Sequence, residues 1–97
     1  MSFDRPLPPT TTDRGIRVAL IFALAAERLT LYYEHGKWLT EAQATSLAAD
    51  WLGRSKRQLA VEERRQLAAL SDRLARQIEG SVSREAGLFI SHEMNEA

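Results

Sequence analysis

The chain has 97 residues, 44% hydrophobic and 27% charged, and its thirteen basic side chains balance thirteen acidic ones. That length suits one small domain with a single core, and a net charge of zero excludes a global field drawing in nucleic acid or anionic lipid. With no cysteine there is neither a disulfide nor a thiolate metal site; this fits a reducing cytoplasm, the expected location.

Residues 1–12 (MSFDRPLPPTTT) hold all three prolines and a threonine triplet. They read as a flexible, extended arm ahead of a single helical domain over 13–97. Asp4, Asp13 and the prolines precede the apolar run, an order that does not fit a signal peptide. Thr12 or Asp13 can cap a first helix over about residues 14–35, with Gly36 as its left-handed terminator. Inside it, Val18 to Ala26 reads VALIFALAA without a polar residue. That run is about half of the roughly 20 residues a membrane span needs, and Arg17 and Glu27-Arg28 bracket it, so no membrane association is expected.

Helical spacing predicts that Val18, Phe22, Ala25, Leu29 and Tyr32 face the core. Leu20, Ile21, Leu24 and Leu31 then form an outward patch, framed by Arg14, Arg17 and Arg28. Burying each of these four large side chains contributes on the order of 1.5–3 kcal/mol. The predicted partner interface is therefore Arg14, Arg17, Leu20, Ile21, Leu24, Arg28 and Leu31, covered by a second copy of the chain or by another protein.

Thr40-Glu41-Ala42-Gln43 has the form of a capping box and opens a second helix over about 41–52. That helix buries Ala44, Leu47, Ala48 and Trp51 and ends at Gly53. A third helix covers at least Val61 to Glu79, with Leu67, Leu70, Leu74 and Ile78 inward. Gly80 and Ser81 are expected to break it, and a last helix from about Ser83 places Ala86, Phe89, Ile90 and Met94 on one side. Strict alternation of β-branched residues is absent. The fold class is all-α, with three to four helices in a bundle or an orthogonal tri-helical core with a long third helix. Tyr32, Tyr33, Trp38 and Trp51 are expected at a helix junction rather than around a ligand.

The stretch LTEAQATSLAADWLGRSKRQL (39–59) resembles a helix-turn-helix: Ala49 lies four before Gly53, Ser55 sits in the turn, and Leu59 anchors a second helix. The resemblance implies a DNA-binding regulator using residues 41–64, in which Ser55, Lys56, Arg57 and Arg64 reach phosphates or base edges. Between Arg54 and Arg76 seven basic residues face three acids. Glu62 and Glu63 equally suit the first turn of a helix starting beside them, which makes 53–60 a connecting loop.

Glu34-His35 and His92-Glu93 each pair a histidine with a carboxylate, but two histidines at zinc-protease spacing are absent. No serine occupies a glycine elbow, and there is no glycine-rich phosphate loop. No catalytic, cofactor-binding or metal-ligating residue is expected. The chain reads as a small non-catalytic helical protein acting by protein–protein contact (regulator, inhibitor, chaperone or adaptor), homodimeric through its first helix, with the DNA-binding regulator as the alternative.

Overall fold

In the computed structural model the backbone is described for residues 5–96 and the side chains for residues 5–86. Three helices follow one another, α1 (Asp13–His35), α2 (Glu41–Arg54) and α3 (Val61–Glu96). No strand occurs among the described residues. The fold class is all-α, as the periodicity predicts.

The helix ends follow local chemistry. Thr12 caps α1, its Oγ1 accepting from the Gly15 amide at 3.0 Å, and Gly36 closes the helix at φ 65°. The capping box on α2 is reciprocal: Thr40 Oγ1 accepts from the Gln43 amide at 3.1 Å, and Gln43 Oε1 accepts from the Thr40 amide at 3.0 Å. α2 does not end at Gly53 but runs to Arg54. Its last carbonyls are met by the Arg57 amide on Leu52 at 2.8 Å and the Lys56 amide on Gly53 at 3.0 Å, the pairing of a Schellman motif. Lys56 takes the left-handed position at φ 57°, where a glycine is the usual occupant.

The break expected at Gly80 and Ser81 does not occur, and α3 continues through both. A glycine costs about 1 kcal/mol relative to alanine inside a helix, too little to stop one already propagating. Downstream side chains reinforce this turn: Ser83 donates to Glu79 and Arg84 Nε donates to the Gly80 carbonyl. Ala86 is exposed; the expectation for Phe89, Ile90 and Met94 lies outside the described residues.

Arg17 pairs with Glu63, Arg28 with Ser71 and Tyr33 with Glu79, at separations of 46, 43 and 46 residues. A near-constant offset means that α1 and α3 run parallel and in step, while α2 runs back and packs mainly against α3. Leu20, Leu24, Trp51 and Leu52 fill the centre, and Ala44, Ala48, Ala68 and Ala75 are completely buried. An alanine is buried only if neighbours close onto its Cβ, so this small-residue layer requires close approach of the helices. On α3 the inward stripe is Leu67, Ala68, Ser71 and Ala75, whereas Leu70 and Ile78, expected inside, are exposed.

Residues 5–12, expected as an extended arm, lie against the connection between α2 and α3. Trp51 Nε1 donates to the Arg5 carbonyl at 3.1 Å and the Leu7 amide donates to Ser55 Oγ at 2.8 Å. Arg57 Nη2 donates to the Pro9 and Thr11 carbonyls at 2.9 and 2.8 Å.

Candidate functional site

The two apolar stripes of α1 are exchanged relative to the expectation. Leu20 and Leu24, placed on the outward patch from spacing, are the residues that enter the core, each 0% exposed. Val18, Phe22 and Tyr32, placed in the core, are exposed, Phe22 by half of its surface. Ala25 is buried as expected, and Leu29 is half-buried. Of the remaining interface residues, Ile21 and Leu31 are half-buried, Ile21 packed against the core cluster. Arg14 is exposed, and Arg17 is paired with Glu63 of α3. Only Arg14 of the seven is left fully open. Leu20 and Leu24 lie on the side of α1 that also carries the buried Ile16, Ala19 and Ala23, and they share one core cluster with Ala44, Ala48 and Ala68 of the other helices, whereas Phe22 lies on the opposite side.

Arg28 sits in the interior, 3% exposed, and joins three parts of the chain. Its Nε donates to Ser71 Oγ at 3.2 Å, Nη1 to the Leu39 carbonyl at 2.9 Å and Nη2 to the Ala68 carbonyl at 3.2 Å. Asp72 Oδ1 lies 3.5 Å from Nη1. Burial pushes the guanidinium pKa down and the Asp72 charge opposes that. An arginine fork with each nitrogen satisfied is a structural anchor, not a free recognition group. One signal in the sequence marks this role: Arg28 continues the Leu20, Leu24 line at the next helical turn.

At the end of α1 three of the four aromatics gather, but Tyr32 and Tyr33 are exposed rather than core, and Trp51 is buried in the main core cluster. Tyr32 meets Tyr33 and Trp38 edge-on, at centroid distances of 5.5 and 5.6 Å. Trp38 Nε1 donates to Asp72 Oδ1 at 2.7 Å, and Arg76 lies over the Trp38 ring at 4.8 Å while donating to Asp72 Oδ2 at 2.9 Å. Burial raises the Asp72 pKa, but the Trp38 hydrogen bond and the Arg76 and Arg28 charges outweigh it and hold the carboxyl below its ordinary value. Tyr33 donates its hydroxyl to Glu79.

The helix-turn-helix geometry is not formed: no helix begins at Ser55, and residues 55–60 are a connection. Ser55 accepts from the arm at Leu7, and Arg57 is engaged by Pro9 and Thr11 with Asp13 at 3.8 Å. Lys56 is exposed in the turn, and Arg64 is part-buried on α3 with its Nε unpaired. These four residues do not share a helix face. The acids at 62 and 63 start α3 instead, in the first turn, where the helix dipole favours them.

His35 and Glu34, both exposed, lie 3.8 Å apart. Among the described residues no group of three or more acidic or histidine side chains could hold a metal ion; His92 and Glu93 lie outside the described side chains. No helix of the described residues is long and apolar enough to cross a membrane. No protein-family model, curated protein or solved structure matches the chain.

Proposed function

We propose that this chain is a small non-catalytic protein that works by protein–protein contact, pairing with a second copy through the outer face of α1. The role is that of a regulator, inhibitor, chaperone or adaptor of a larger macromolecule. One observation carries the proposal: Val18, Phe22 and Tyr33 are 44%, 50% and 56% exposed along one side of α1. Single exposed apolar residues are ordinary, but a stripe of large ones on one helix is the usual mark of an interaction surface. A helix stripe meets its own copy across a two-fold axis without a complementary partner surface having to exist elsewhere.

Light scattering tests the pairing. The full chain is expected at twice the monomer mass of 10.9 kDa, and Val18→Glu with Phe22→Glu returns it to the monomer mass with its helical circular dichroism intact. Both positions are exposed in the monomer, so the substitutions leave the core alone, unlike a charge at Leu24. A wild-type chain that stays monomeric at its highest soluble concentration overturns the pairing.

A further inference from the structure

A second surface lies on the other side of α1 and does not depend on that pairing. Of the three helix pairs, α1 and α2 touch least, and between them runs an open groove of about 570 Å³ floored by Leu31, Leu39 and Leu47. Glu27 and Asp50 stand at its rim. Beyond Leu31 and Leu39 the groove continues into a smaller space bordered by Lys37. Glu27 and Leu31 are five and nine residues past Phe22, about 140° and 180° around the helix, so pairing through Phe22 leaves the groove open.

The carboxylates are not equivalent. Asp50 is engaged by Arg54 at 3.2 Å. Glu27 is half-buried beside the leucines and has no hydrogen bond or ion pair among the described residues. A half-buried carboxylate at the edge of an apolar trough, paired with no cation among the described residues, is complementary to a cation brought by an occupant. On α2 the trough spans Ala42 to Asp50, about 12 Å of helix, which matches two turns of a docked helix.

We infer that the α1–α2 groove binds an amphipathic helical segment of a partner protein, its aliphatic side chains on Leu31, Leu39 and Leu47 and a lysine or arginine at one end on Glu27. A small molecule does not need that length, and the end bordered by Lys37 disfavours a segment basic throughout.

The test uses the full chain and two fluorescein-labelled helical peptides. Both carry a leucine stripe on an alanine background, one with two lysines in its last turn and its twin with two glutamates there. In anisotropy titrations the lysine peptide is expected to bind saturably and the twin about tenfold more weakly or worse. Glu27→Lys is expected to reverse that order, Leu47→Asp to abolish binding of both, and Phe22→Glu to change neither. Equal binding of the two peptides, or an order that Glu27→Lys leaves intact, overturns the inference. It is also overturned if the free protein forms a higher-mass species that Leu47→Asp dissolves and Phe22→Glu does not, because a second copy then fills the groove. Should Leu47→Asp lose its helical circular dichroism, Glu27→Lys decides alone, since it removes no hydrogen bond or ion pair among the described residues.

Discussion

The inner and outer faces of α1 are both apolar, yet they do opposite things. The inner face sets Leu20 and Leu24 among alanines and ends in Arg28, each nitrogen of which is bonded. The outer face carries Val18, Phe22 and Tyr33, which keep 44%, 50% and 56% of their surface exposed. Size does not make the choice, since Trp51 is 2% exposed in the same core; what enters is the side of α1 onto which the small residues of α2 and α3 close. Close packing there gains contact on every side of Leu20 and Leu24. Phe22, on the opposite side, keeps half of its surface exposed.

The sharpest way to break this contrast is truncation on each side. Leu24→Ala is expected to lower unfolding free energy by about 2–5 kcal/mol, whereas Phe22→Ala at high dilution should cost about 0.5 kcal/mol or less. Equal shifts in urea midpoints would erase the distinction. Raising protein concentration should increase the Phe22→Ala penalty and not the Leu24→Ala one, because only the outer face is buried by association.

A smaller effect tests the polar end of the inner face. The Asp72 carboxyl is held below its ordinary value of 3.8 by Trp38, Arg76 and Arg28, against burial, so the unfolded chain takes up a proton there more readily than the folded one. Its contribution is fully present above about pH 4–5 and is lost as pH falls through the folded-state value. Asp72→Asn should therefore lower stability at neutral pH and flatten the acid limb of the stability profile. An unchanged limb would show that Arg28 and Trp38 hold their places without this charge.

The least effect is expected on the outer face. Tyr33 is more than half exposed and its hydroxyl donates to Glu79, a bond that raises the Tyr33 pKa and, after that from Ser83, helps lower that of Glu79. Tyr33→Phe should leave the urea midpoint at high dilution where it was, because an exposed hydrogen bond exchanges evenly with water. A clear loss would mean that the outer face contributes to the monomer after all.

By itself the sequence determined what depends on neighbours within a turn or two. The apolar period marked helical segments over about 14–35, 41–52 and 61–79, the Thr40–Gln43 box placed one helix start, Thr12 or Asp13 placed another to within a residue, and Gly36 placed one end, because these contacts form within a few residues. The acids at 62 and 63 marked the start of α3 for the same reason. The tertiary structure alone decided which stripe of α1 turned inward. Two stripes of one helix have the same period, and the choice depended on Ala44, Ala48, Ala68 and Ala75, which come from the other two helices. It also decided the fate of the cations: Arg28 looked like the frame of an open patch until Ser71, Leu39 and Ala68 came round it, and Arg57 like a nucleic-acid contact until the arm took it. Gly80 belongs here too, since a weak local penalty is outweighed by a helix already running. Periodicity reports that a face is apolar; only the shape of what it meets determines whether that face becomes core or surface.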